Sequence, residues 1–353
     1  MGWERSPTAI HESSFTQRIM KVAVVGAGAI GGYLGVRLAH AGEDVTFIAR
    51  GANLAAIRAG GMKLILEDGS ELRAEGARAF ERMSDAGPQD VVLLTLKAHQ
   101  VGAVAPDLNH LCHGQTSVVT MQNGIPWWYF YKHGGQYEGT SVVSADPDGT
   151  IARSIDAARV IGSVVYPAAN LVSPGVVKVV EGNRFTLGEL DGSTTPRIEA
   201  IAASFTKAGF KAPITQDIRS EIWLKLWGNL SFNPVSALTH ATLVDICQFP
   251  LTRDLAAQMM AEAEAIAKKL GVTFRVSIER RIAGAEKVGA HKTSMLQDVE
   301  QGRPIEIEAL VGSVVELGRL TQTPTPHISA VYACASLLAK TLNARHAKLR
   351  LPG

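Results

Sequence analysis

Cysteine is scarce in this chain of 353 residues: Cys112, Cys247 and Cys334 lie far apart, with no C-x-x-C pair and no metal-site spacing. An odd, scattered set argues against a disulfide framework and for a reducing compartment with buried thiols. Neither sign of charge is in excess. The net charge is +2, so electrostatics imply neither nucleic acid nor a membrane as partner. Long apolar runs are missing too, and none reaches the roughly 20 residues that a membrane-spanning helix needs. The histidines, His291 among them, form no ligand-spaced cluster, and no metal is expected. Residues 1–18 are polar and of mixed charge, without the apolar core of a secretory signal. They read as a disordered tail, residues 1–19, ahead of a cytoplasmic globular protein.

The hydrophobic fraction of 46% suits a chain with a real core, and the length suits two domains. Residues 21–35 read KVAVVGAGAIGGYLG. A short β-branched run is followed by Gly26, Gly28 and Gly31 in G-x-G-x-x-G spacing, then by apolar residues at helical spacing. Gly26 allows a tight turn, Gly28 lets a pyrophosphate approach the backbone, and Gly31 lets the helix pack close to the strand. With Ala27, Ala29 and Ile30 they form a phosphate-binding turn at a helix N-terminus. A glycine-rich turn alone is weak evidence; the strand before it and the helix after it give it its meaning.

Residues 43–48 form the next strand. An NAD enzyme usually carries Asp or Glu at that strand's end, whereas this chain has Ala49, Arg50 and Gly51. An Arg there accommodates a 2′-phosphate, which favours NADP. A short helix spans residues 53–59. Residues 62–66 and 71–74 flank Asp68-Gly69 as a hairpin. Residues 90–96 and 117–121 read as buried parallel strands, with Lys97 and Asn123 at their carboxyl ends, where open α/β sheets bind ligands. Residues 127–131 read WWYFY. That run is either a flap over core or a lid over a substrate pocket. Strands predicted at 158–167, 175–181 and 184–188 would extend the sheet in antiparallel fashion. A helix over 196–208 and a short strand over 210–214 follow.

From residue 217 helices dominate. In DIRSEIWLKLWGNLSFN, Lys225, Asn229 and Asn233 recur every four residues and share a helix face. Polar groups there are costly to bury without partners. Asn233 could instead cap a helix starting at Pro234, and Lys225 could be an ordinary surface residue. Long helices are predicted over 251–271, 277–289 and 325–342. Ser294 is placed to open a short helix with Gln297 as its capping-box partner. Glu306 and Glu308 are placed to begin another, where acids suit the dipole.

MKVAVVGAGAIGG, TLKAHQ, MQNG, EIWLKLWGNLSFNP and TSMLQDVEQGRPIEIE together resemble the ketopantoate reductase family over residues 20 to about 340. The resemblance implies a Rossmann-type dinucleotide-binding domain over 20–215, a helical substrate domain over 216–345, and a tail over 346–353. It implies a site in the cleft between them, with Lys225 catalytic and Glu306 its acidic companion at the substrate and cofactor. Asn229 and Asn233 would contact substrate, Ser294 would hold its carboxylate, and Lys97 and Asn123 would sit near the nicotinamide. Arg50 would read the 2′-phosphate. The implied reaction is NADPH-dependent reduction of a 2-oxo acid, ketopantoate leading, in pantothenate biosynthesis. The alternatives are a reductase of a bulkier 2-oxo acid, suggested by WWYFY, and an NADP-binding sensor. A homodimer is compatible with each.

Overall fold

The computed structural model describes residues 19–345 and 347–350. The tail expected over residues 1–18 lies outside the described residues. Among the described residues, eleven strands lie between Lys21 and Glu189. They are β1 (Lys21–Val25), β2 (Asp44–Ile48), β3 (Met62–Ile65), β4 (Glu71–Ala74), β5 (Arg78–Phe80) and β6 (Gln89–Leu94), then β7 (Cys112–Thr120), β8 (Val160–Val165), β9 (Ala168–Ser173), β10 (Val176–Glu181) and β11 (Phe185–Glu189). Helices α1 (Ala29–His40), α2 (Gly51–Gly60), α3 (Met83–Ala86), α4 (Ala98–Val104), α5 (Thr150–Ser154) and α6 (Pro196–Lys207) lie among or just after them.

The main sheet has the order β11-β8-β7-β6-β1-β2-β5, parallel throughout except for β11, which runs antiparallel to β8. A smaller sheet, β4-β3-β10-β9, lies across α1. Two corrections follow. β8 joins β7 in parallel, and β10 leaves the main sheet for the smaller one, so only β11 is an antiparallel extension. The strand expected over 210–214 reduces to two isolated bridges, Arg184 with Lys211 and Leu187 with Ile214.

Alternate residues of β1 face different cores, as a strand buried on both faces must. Val22 and Val24 join Leu34, Phe47, Met62 and Val177 between the two sheets. Ala23 and Val25 join a second core, shared with the aromatic run and the helices that follow. Those helices are α7 (Ile218–Thr239), α8 (Leu243–Gln248), α9 (Pro250–Lys269), α10 (Ile278–Lys287), α11 (Ser294–Gln301), α12 (Ser313–Leu320) and α13 (Pro326–Arg345). A π-helical turn, Glu308–Gly312, runs into α12. α13 extends three residues beyond the expected end at 342, to Arg345.

Helix α7 is the axis of this half. The Asp217 side chain caps it by accepting from the Ser220 N–H at 2.9 Å. It continues through Pro234 without a break, so Asn233 is an interior residue and not a cap. Trp223, Leu226, Trp227 and Leu230 are fully buried along it. The cysteines depart from expectation: Cys247 is buried, but Cys334 is exposed.

Candidate active site

The glycine turn joins β1 to α1. Gly26 has φ +102°, which side-chain-bearing residues rarely adopt. A Cβ on Gly31 would lie 2.2 Å from the Gly26 carbonyl oxygen, so the close approach of helix to strand needs glycine there. A Cβ on Gly28 would meet nothing within 4 Å, leaving the α1 N-terminus, with Ala27, Ala29 and Ile30, open to a phosphate group. The Thr95 hydroxyl fastens the turn to the end of β6, donating to the Gly26 carbonyl at 2.7 Å. Asn53 Nδ2 donates to the Ala27 carbonyl at 2.5 Å. Neither contact was legible in the sequence, because both partners are brought in by the sheet. Arg50 is exposed at the N-cap of α2, at the end of β2, with no acid beside it.

At the ends of β6 and β7 the second half of the chain closes over the sheet. Lys97 Nζ donates to Asp298 Oδ2 at 2.5 Å, and Arg303 Nε donates to Asp298 Oδ1 at 2.9 Å. The Ala98 N–H donates to Glu306 Oε1 at 3.0 Å. The Ile125 N–H donates to the Ala309 carbonyl at 3.1 Å, and a Cβ on Gly124 would strike that same oxygen at 2.0 Å. His99, passed over in the TLKAHQ motif, belongs to this cluster. Burial holds its imidazole below the usual range, while the Glu306 and Asp298 carboxylates oppose the shift.

Lys225 lies at the centre. Its ammonium donates to Asn123 Oδ1 at 2.6 Å and to the Val165 carbonyl at the end of β8. Burial pushes its pKa down to about 8, with the Glu306 carboxylate pulling the other way. Half-buried and bonded to two oxygens of the sheet's edge, Lys225 is not an ordinary surface lysine. Asn229 is half-buried on the same face of α7. Asn233 is buried, and its Nδ2 donates to Ser294 Oγ at 3.5 Å.

The helix-cap account of Ser294 fails. Thr293 is the N-cap of α11, its hydroxyl accepting from the Leu296 N–H, and Gln297 Nε2 donates to the Lys292 carbonyl. Ser294 is left exposed beside Asn233. Glu306 stands just ahead of its helix, its carboxylate turned to Ala98 across the chain. Thus Lys225 and Asn123 are in direct contact, with Glu306 within electrostatic reach, Asn233 joins Ser294 farther along α7, and Lys97 is held in an ion pair.

The centre of the aromatic run is core, while Trp127 and Tyr131 at its ends are half-buried. Trp128, Tyr129 and Phe130 are fully buried, and Trp128 Nε1 donates to Thr120 Oγ1 at 2.9 Å. The Tyr129 hydroxyl accepts from Trp223 Nε1 at 2.8 Å. Arg219 donates to the Tyr129 and Tyr131 carbonyls at 2.8 and 2.6 Å, tying the run to α7.

Two family models match the chain: "Ketopantoate reductase PanE/ApbA" over residues 22–192 and "Ketopantoate reductase PanE/ApbA C terminal" over residues 217–339. The 2-dehydropantoate 2-reductase of Mesorhizobium japonicum is 54% identical over 321 residues, 91% of this chain and 98% of that protein. A solved chain from Ralstonia solanacearum MolK2 aligns with TM-score 0.88 and 41% identity, over 92% of this chain and 99% of that one. The crystal structure of 2-dehydropantoate 2-reductase from Geobacter metallireducens GS-15 aligns with TM-score 0.78 and 28% identity, over 90% and 99%.

Proposed function

We propose, on the premise that this chain belongs to the ketopantoate reductase family, that it reduces 2-dehydropantoate to pantoate with NADPH. The observation that carries the reading is the buried Lys225 ammonium, held between Asn123 and the end of β8 with Glu306 within electrostatic reach. The open turn at Gly28 fits a dinucleotide pyrophosphate, and the exposed Arg50 fits a 2′-phosphate. A reduced nicotinamide bound there supplies the hydride.

The chain's own residues supply charge and a proton. Reduction of a ketone builds negative charge on the carbonyl oxygen. With a pKa of about 8, Lys225 is charged at neutral pH, so it stabilises that oxygen and donates its proton to it. Asn123 and the Val165 carbonyl fix the ammonium, so little reorganisation is needed when charge develops. Glu306 keeps the lysine cationic despite its burial. Asn229 and Asn233 on the face of α7 beyond Lys225, with Ser294 at the start of α11, bind the polar groups of the substrate. Lys97, paired with Asp298 at the end of β6, is placed where it would meet the nicotinamide ribose of a bound dinucleotide. The domains over 20–215 and 216–345 thus divide cofactor and substrate between them, with Glu306 shared.

Trp128, Tyr129 and Phe130 give no support to a bulkier substrate, since they are occupied in core packing. A screen of 2-oxo acids with NADPH, followed by loss of nicotinamide absorbance, tests the reading. Turnover should be fastest with 2-dehydropantoate. Faster turnover with a larger 2-oxo acid would move the substrate, and no turnover with any would favour a sensor.

A further inference from the structure

The helical segment that leads into α12 is wound wide where it meets the main sheet. In an α-helix the Ser313 N–H would bond the Ala309 carbonyl, four residues back. Here it bonds the Glu308 carbonyl, five back, and so makes the π-helical turn Glu308–Gly312. Such turns are rare and recur at functional sites. The Ala309 carbonyl takes two other donors. One is the hydroxyl of the fully buried Ser313, at 2.7 Å. The other is the Ile125 N–H, at 3.1 Å, from the loop that follows β7.

That loop is anchored on both sides of Asn123. Before it, Gln122 Nε2 donates to the Leu94 and Leu96 carbonyls at 2.7 and 3.0 Å and fastens the tip to the end of β6. After it, Gly124 has φ +90° and lies so close to the Ala309 carbonyl that a Cβ would overlap it. Between the two anchors, Asn123 Oδ1 accepts from the Lys225 ammonium at 2.6 Å. The same segment carries Glu306, three residues ahead of Ala309. Its carboxylate accepts from the Ala98 N–H beyond β6 and acts on the charge of Lys225. One stretch of backbone, 306–313, therefore meets both strand tips beside the lysine.

We propose that the π-turn is a positioning device for the proton donor: the Ala309 carbonyl, steadied by Ser313, seats Gly124 and so fixes the Asn123 oxygen on the Lys225 ammonium. An α-helical turn would return that carbonyl to the Ser313 N–H and withdraw the seat. Gly124 and Ser313 act only through Asn123, so they are positioning residues. The inference rests on the reductase reading for its chemistry and deepens it, but the seat can be tested without turnover. Other acids around α7 are engaged elsewhere. Glu221, one turn before Lys225, accepts from Tyr166 and pairs with Arg184. Asp298 of α11 pairs with Lys97 and Arg303, and Glu308 accepts from the Tyr332 hydroxyl.

The test compares wild type, Ser313→Ala, Gly124→Ala, Asn123→Ala and the double variant of Gly124→Ala with Asn123→Ala. The Lys225 Nζ is titrated by ¹⁵N NMR, its signal assigned by its loss in Lys225→Ala, and kcat is measured with 2-dehydropantoate. An acceptor on an ammonium favours the charged form. Loosening Asn123 should therefore lower the Lys225 pKa from about 8, by about one unit in Gly124→Ala and by less in Ser313→Ala. Misplacing the donor should lower kcat roughly 10- to 100-fold in Gly124→Ala. Adding Gly124→Ala to Asn123→Ala should do little more, because both act through one contact. Ser313→Ala keeps the helix, alanine being the better helix former, and carries the test alone if Gly124→Ala does not fold. An unshifted Lys225 titration in Ser313→Ala or in folded Gly124→Ala would overturn the proposal and leave the reductase reading standing. So would a Gly124→Ala effect as large on Asn123→Ala as on wild type. If wild type reduces no 2-oxo acid, the reductase reading falls, and the NMR titration still decides the seat.

Discussion

Arg50 illustrates what one residue can carry without a partner. It stands exposed at the end of β2, and no acid follows that strand to hold a ribose 2′-hydroxyl. The 2′-phosphate role proposed for it could be read from the sequence because that reading depends only on charge and on the strand's end. Arg50→Ala should therefore weaken NADPH binding by about tenfold or more while NADH binding moves little, the loss expected for a charged hydrogen bond. Fluorescence titration of both cofactors measures this, and equal losses would remove Arg50 from the phosphate. Other residues were legible only as alternatives. Ser294 reads as a cap by its spacing to Gln297, and only the neighbouring Thr293 shows that the cap is made elsewhere.

Among the elements, the glycine turn, β1, α1 and α7 follow from local pattern, and the fold class is as the pattern implies. Strand partners do not, because alternation in a short strand is the same whichever neighbour it takes. β3 and β10 pair across more than a hundred residues to make the smaller sheet, and β8 joins β7 in parallel. A parallel pair needs a long crossover, and residues 121–159 are that crossover. This gives the aromatic run its physical reason: Trp128, Tyr129 and Phe130 fill the space between sheet and α7 that the crossover encloses. Trp128→Ala should cost about 3–5 kcal/mol of stability through the cavity it leaves. The order of KM values among 2-oxo acids should stay unchanged. Denaturant unfolding and a substrate series check both halves, and a reordered series would restore the pocket-wall alternative for this run.

For the whole molecule, the central claim is that the two halves of the chain meet at one proton. α7 supplies the Lys225 ammonium, and the ends of β7 and β8 supply the Asn123 and Val165 oxygens that hold it. Glu306 links the same region to α4 through the Ala98 N–H. The stripe of Lys225, Asn229 and Asn233 was visible in the sequence; the desolvation that tunes the lysine was not, because it depends on the sheet closing against α7. The measurement that tests the claim most directly is single-turnover NADPH oxidation at subsaturating 2-dehydropantoate, across pH, for wild type and Lys225→Ala. The lysine titrates at about 8. Below that pH it carries the proton to be donated; above it the proton is lost. The wild-type rate should be level on the acid side and fall about tenfold per pH unit once the lysine has deprotonated. Lys225→Ala should be slower by roughly 10² to 10⁴ near neutral pH, with a flat profile. A mutant that keeps most of the wild-type rate, or a wild-type profile that stays level well above pH 8, would contradict the account.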